Sequence, residues 1–559
     1  MAGGGSEREE AEKSMSKKHK FMALLLIVTI LFCLAGCDGK SDMQLKKELN
    51  IQLTGSPTTI DPQCVSDTGS SFVVAFFVST LYEYTADNRL VPGLAESRDL
   101  SDDNLTITYH LKKGICWSDG SPITAEDFVY AFQRLADPEI GSNSVYFITD
   151  CCRLKNADGV TTGELPVSEL GVSAPDLETF VIELEESCPY LDSLLTFPVF
   201  APCKRSFCAS CGKEYATSPE TMLYSGPFVL DRYEPLATQI HLVPNPYYHN
   251  EGRPALPGVN LQVVADAQQA AMCYQNGILD VITITGEITD LALDDPQLKR
   301  FPTAGMQYIC FNPTECPALS NRNIRMALSK SIDRDSISKN VLRLGYSTLT
   351  RVSPPGYYFE TDGSDFSKDE DRYNEYIAFN AAAAKAAWQE GLKELGISSL
   401  KLNFCYNATT GTEAEAIKAQ MENCLPGLEI ELKPLTRKEY LNMSSAGAGY
   451  DIFMGGWVGD YQDPTTFFYL YVNGGKGMMY RSEEFDELIS LSGSVEAVKD
   501  PDMRNGLLHD AEDILMEGIC VIPLFTYEDA YLVRAGVNNF VLTATSAVIP
   551  AWIEKEVTQ

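Results

Sequence analysis

Trp457 and Asp460 stand three residues apart in the run Gly455-Gly456-Trp457-Val458-Gly459-Asp460-Tyr461-Gln462-Asp463-Pro464, and together they could hold a cationic guest. An indole face offers stacking area, and a carboxylate three residues on offers the opposite charge. Glycines on both sides would let a second backbone approach closely, so an extended guest could be gripped by its main chain. The same residues also fit a plainer role, a core tryptophan followed by an Asp-Pro turn. The preceding Tyr450-Asp451-Ile452-Phe453-Met454 has the β-branched and aromatic content of a short buried strand, the element that would position the segment.

Other candidate chemistry is weaker. Asp460 and Asp463 are a poor pair for glycoside hydrolysis, being three apart on a turn. The five histidines lie far from one another or from a nucleophile, and no Gly-x-Ser-x-Gly, His-Glu-x-x-His or phosphate-cradling glycine loop occurs. No enzyme is expected, and no cofactor. Cys203, Cys208 and Cys211 lack a fourth ligand nearby for a zinc knuckle, so loop thiols or a local disulfide are expected and no metal. The adjacent Cys151 and Cys152 read the same way.

At 559 residues the chain is too long for one domain. Its formal charge of −33 excludes a phosphate backbone as partner, so no nucleic acid is expected, and it favours cationic ligands. Near the N-terminus Lys17, Lys18 and Lys20 precede an apolar stretch, residues 21–34, which is shorter than a membrane span needs. Leu34-Ala35-Gly36-Cys37 follows and resembles a bacterial lipobox. Residues 1–36 are therefore expected to be a lipoprotein signal peptide, with Met15 an alternative start. Cys37 would carry the lipid, and residues 37–50 would form a tether. Cleavage removes five basic and four acidic residues, which leaves a charge of −34. Fourteen cysteines remain beyond Cys33 and Cys37, too few for a disulfide scaffold and not pairable from sequence.

Strands and helices alternate along the body. Residues 51–84 open as a strand and continue as a helix-like apolar run through Phe72, Val73, Phe76, Phe77 and Leu81. Residues 91–96 read as a turn. Ile107, Tyr109 and Leu111 share one face of a strand over Thr106–Leu111. Thr124 can cap a helix in which Phe128, Ala131, Phe132 and Leu135 recur at helical spacing, with Asp127 completing the box. Residues 259–263 and 400–404 alternate as strands. Ala381–Leu395 reads as a helix closed by Gly396, and residues 428–432 as a strand stopped by Pro434. Residues 361–372, rich in Asp, Ser and Lys, read as a solvated loop. The interleaving predicts an α/β fold.

The stretch around the capped helix is specific. Lys113-Gly114-Ile115-Cys116-Trp117-Ser118-Asp119-Gly120-Ser121-Pro122-Ile123-Thr124-Ala125-Glu126-Asp127-Phe128 resembles the solute-binding proteins of peptide-type ABC importers, departing only at Cys116. In the same order follow Tyr224-Ser225-Gly226-Pro227-Phe228, Asn245-Pro246-Tyr247-Tyr248, Gly277-Ile278-Leu279-Asp280 and the Arg325-to-Arg334 helix. Trp457 and Asp460 then fall where that family carries its Trp-x-x-Asp-Tyr ligand segment. The resemblance spans residues 51–550.

It implies two α/β lobes of the type II, large peptide-binding class, joined by crossing strands and closing over a ligand. Lobe I would comprise 51–86, 218–308 and 530–559, an inserted subdomain 87–217, and lobe II 309–529. It further implies an extracytoplasmic, lipid-anchored monomer that delivers oligopeptides to ABC permease and ATPase subunits. Asp460 would take the peptide's α-ammonium; Trp457, Gly456, Val458 and Tyr461 would line the guest; Asn407, Tyr146 and Tyr527 would line side-chain pockets. Residues 152–179 resemble the oligopeptide branch. Where enteric relatives place arginines for the peptide's C-terminus, Ser445, Ala446 and Met454 stand here, so that contact is open. A dipeptide, a peptide pheromone, a nickel chelate, an oligosaccharide, or a sensor or adhesin role are the alternatives.

Overall fold

The computed structural model describes residues 47–556 apart from 88, 237, 286, 287, 344, 345, 370 and 473–481. They belong almost entirely to the compact unit Leu49–Gln559. Cys37, the signal segment and most of the expected tether lie outside the described residues. The globular body starts earlier than the sequence suggests: Leu49 and Asn50 already belong to the strand Leu49–Leu53, because Leu49 is buried and its amide bonds the Gly258 carbonyl.

An eleven-stranded sheet organises the molecule. Its path runs Leu428–Leu435, Leu400–Asn407, Ile452–Val458, Leu298–Phe311, Val521–Val533, Val281–Thr283, Leu49–Leu53, Val259–Val263, Gln239–Pro244 and Phe228–Arg232, while Tyr346–Thr348 pairs with Val521–Val533. Leu298–Phe311 and Val521–Val533 are long antiparallel partners that cross from one lobe to the other. Residues 298–302 pair with 528–532, the register then breaks, and 306–310 pair with 521–526. The break starts at Pro302, which has no amide proton to give a ladder. Before it the second crossing strand carries Val281–Thr283, and beyond it the first carries Ile452–Val458. Parallel pairs on both sides, with helices between them, make each lobe α/β.

A separate four-stranded sheet, Ala95–Leu100, Thr106–Leu111, Thr179–Glu183 and Val172–Ser173, packs its own core against the helix Ala125–Ala136. That helix carries the expected Thr124–Asp127 capping box, and Phe128, Ala131, Phe132 and Leu135 are all buried. Ile107, Tyr109 and Leu111 bury one strand face. Ala381–Leu395 ends at Gly396, whose φ of +67° is left-handed and suits glycine.

Local expectations fail where tertiary context overrides them. Pro434 does not stop its strand; Leu428–Leu435 runs through it because it is an edge strand, where a missing donor on the open side costs no pairing. The helix in the first apolar run is only Thr68–Val74, and Phe76, Phe77 and Leu81 are buried by irregular chain beyond it. Residues 90–92 and Ala95–Leu100 are strands rather than a single turn. In the loop 361–372, Phe366 is buried and stacks on His509 with ring centroids 4.0 Å apart.

Candidate functional site

The strand Ile452–Val458 changes character along its length. Residues 452–455 are buried, Gly456 is exposed, Trp457 is half-buried and Val458 is 57% exposed. Glycine is required at Gly455 because the Tyr308 ring packs on its backbone, and at Gly456 because an added Cβ would sit 2.8 Å from the Tyr527 hydroxyl. The Gly456 amide donates to Tyr440 Oη at 3.0 Å, so a guest that pairs through this amide must displace that phenol. Trp457 Nε1 donates to Thr466 Oγ1 at 3.3 Å, and the Asp460 amide donates to the same hydroxyl at 3.1 Å. Gly459 donates to the Ala304 carbonyl at 2.7 Å. One threonine thus ties the indole to the backbone of the carboxylate-bearing residue.

The two aspartates have separate environments. Asp463 is buried, receives both guanidinium nitrogens of Arg504 at 2.7 and 2.9 Å, and accepts the Thr465 amide at 3.0 Å. It therefore makes the turn before the short helix Thr465–Phe468. Asp460 instead borders a cavity of about 340 Å³, together with Val458, Gly459, Tyr146, Phe147 and Glu83. Burial, with the Asp460 charge as a smaller contribution, pushes the Tyr146 phenol above its ordinary range. Among the described lining residues Asp67, Glu83 and Asp460 are acidic and none is basic. The cavity carries one sign of charge.

Of the residues expected from sequence, Val458, Asp460 and Tyr146 meet at this cavity, with Gly456 and Trp457 on the strand that leads to it. Tyr461 does not line it. Its ring is buried and stacks on Tyr190 at 3.7 Å and 4°, and its carbonyl accepts the Tyr357 hydroxyl, so it holds the segment from behind. Asn407 also stands elsewhere. Its side-chain oxygen accepts the Thr409 amide at 3.1 Å and caps the turn after its strand. Tyr527 lies across Gly305 and Gly456 with its ring 5.6 Å from that of Tyr346, outside the cavity lining. Met454 is buried and faces no guest.

Sequence reasoning missed Thr466, Tyr440, Tyr190, Arg504 and Glu83. Thr466 could have been found, since it stands two residues after Pro464. The others are brought in by tertiary structure from 16 or more residues away. The described cysteines are unpaired thiols. Cys203 donates to Tyr215 Oη at 3.4 Å, and no group of three metal-holding side chains occurs among the described residues.

Two lobes on crossing strands, with a lined cavity beside the strand end, are an arrangement that can hold a ligand. The comparisons agree. The profile of the bacterial extracellular solute-binding proteins, family 5, matches residues 89–478, and the chain belongs to that family. Its members are extracytoplasmic solute-binding proteins and not enzymes. A dipeptide-binding protein of Lactococcus lactis is 28% identical over 531 residues, covering 91% of this chain and 94% of the relative. Among solved structures, the murein tripeptide-binding protein MppA in its unliganded open form overlaps with a TM-score of 0.80 at 25% identity, covering 91% of this chain and 97% of that one. Listeria monocytogenes OppA bound to peptide overlaps at 0.62 and 26% identity, covering 91% and 99%. The overlap is thus better with the unliganded open form than with the peptide-bound structure.

Proposed function

We propose that this chain is a lipid-anchored, monomeric receptor on the outer face of the cytoplasmic membrane that binds oligopeptides between its lobes and delivers them to an ABC permease and its ATPases. The observation that carries the reading is Asp460, held beside Trp457 through Thr466 and bordering a cavity with acidic and no basic lining. A peptide's α-ammonium is charged at neutral pH and needs an anion once closure removes its water. Gly456, Trp457 and Val458 supply the strand along which the peptide main chain lies, which makes recognition tolerant of side chains.

Losing one partner of a desolvated charge pair costs about 2–5 kcal/mol. Asp460→Asn should therefore weaken free peptides by roughly 30-fold or more. N-acetylating the peptide should weaken wild-type binding by a similar amount, and the two losses should not add because each deletes the same pair. An acetylated peptide that binds wild type as tightly as the free one removes Asp460 from this role. Mass spectrometry of ligand released from natively purified protein should give a ladder of peptides; a single dipeptide, nickel chelate or sugar overturns the reading. For the anchor at Cys37, Cys37→Ala should release the protein from membranes, and pelleting of that variant after a high-salt wash would refute it.

A further inference from the structure

We propose that Glu83 is a specificity-determining residue of the cavity, receiving the side-chain cation of a lysine or arginine at the first position of the bound peptide, with His249 closing the site behind it. This deepens the peptide reading and rests on it. Glu83 is the middle residue of the strand Tyr82–Tyr84; all three residues border the cavity, and Glu83 is the least buried of them. Among the described residues no donor is hydrogen-bonded to that carboxyl. His249 Nε2 stands 3.8 Å from it.

His249 is itself 6% exposed, and neither ring nitrogen has a hydrogen-bond partner among the described residues. A sealed imidazole with unmet hydrogen-bonding capacity, beside a part-exposed carboxylate that no protein donor serves, is uncommon in a finished interior. They mark a place where a ligand supplies the donor. Asp67 does not compete for that ligand, because it caps the helix Thr68–Val74 through the Ser70 amide at 2.8 Å and accepts Thr58 Oγ1 at 2.6 Å. Asp460 is assigned to the α-ammonium. Lys112 is the positive charge that acts on Glu83, but its Nζ donates to the Pro92 carbonyl at 3.0 Å and lies outside the cavity lining.

The electrostatics are those of an acceptor awaiting a cation. Burial raises the Glu83 carboxyl to about 7, offset in part by Lys112. Burial and Lys112 together lower the His249 imidazole to about 4, so it is neutral over the physiological range. The neighbouring Tyr248 phenol is held well above its ordinary range by burial and by Glu83 itself, and stays neutral too. A bound ammonium favours the ionised carboxylate, so at pH 7 its arrival expels the fraction of a proton that Glu83 carries. Selection for a basic first residue should strengthen as pH rises through 7.

The test is calorimetry on the full chain with Lys-Ala-Ala, norleucine-Ala-Ala and Ala-Ala-Ala, and it reads the lysine-to-norleucine affinity ratio within each protein. In wild type at pH 8 the ratio should be roughly tenfold, the size of one charge-assisted hydrogen bond. It should shrink at pH 6 and fall to near one in Glu83→Gln at both pH values. Binding of all three peptides to wild type without a ratio, or a ratio that survives in Glu83→Gln, overturns the proposal alone. Failure of all three to bind wild type overturns the peptide reading and this proposal with it.

Discussion

Asp460 and Asp463 show how little a residue's type says about its work. They are separated by three positions and share one chemistry. Asp463 is sealed against Arg504 in the interior, whereas Asp460 borders the cavity. Asp463→Asn would leave a buried guanidinium without its counter-charge, a change that costs about 3–5 kcal/mol. Denaturant unfolding of the empty protein should show that loss, whereas Asp460→Asn should leave the transition nearly in place. Equal midpoints for the two variants would contradict this division of roles. From sequence, the Trp-x-x-Asp spacing makes Asp460 a candidate, and the same residues fit a core tryptophan followed by a turn equally well. Nothing local could reveal that Asp463 had a partner at Arg504, 41 residues on. Asn407 and Tyr527 were expected in pockets because the resemblance places their strands near the cleft. A strand's position does not fix where its side chains go, and theirs cap a turn and fill the space over glycines.

At the scale of elements, the legible parts were those with a single environment along their length. The helices Ala125–Ala136 and Ala381–Leu395 and the strand Thr106–Leu111 each bury one face against one core, so a regular period survives in the sequence. The crossing strands were harder. Leu298–Phe311 starts half-exposed in Leu-Lys-Arg-Phe-Pro and ends fully buried, because its surroundings change across the register break between Pro302 and Met306. No single pattern describes it. Ile452–Val458 was similarly clipped at Met454, since Gly455 and Gly456 carry weak strand propensity and are tolerated only because Tyr308 and Tyr527 occupy the space their side chains would fill. The signal that locates this strand is the β-branched and aromatic run 450–454 just ahead of the glycines.

For the whole molecule, the two-lobed fold predicts a measurable change on binding. If the lobes close on a peptide about the register break between Pro302 and Met306, the radius of gyration from small-angle X-ray scattering should fall on adding a saturating free peptide. It should fall less, at the same concentration, for Asp460→Asn. Identical curves with and without a bound peptide would show that binding proceeds without closure. The same crossing strands have a second consequence, for synthesis. Val521–Val533 lies between Leu298–Phe311 and Val281–Thr283 in the sheet, so it is an internal strand shared by both lobes. A ribosome delivers it only after residues 312–520 have been made. Until it arrives, two stretches of sheet made much earlier wait with unpaired edges, and neither can be completed ahead of the other. A chain cut short before this strand would thus forfeit both stretches at once, and a nascent one is exposed to misassociation until the strand emerges.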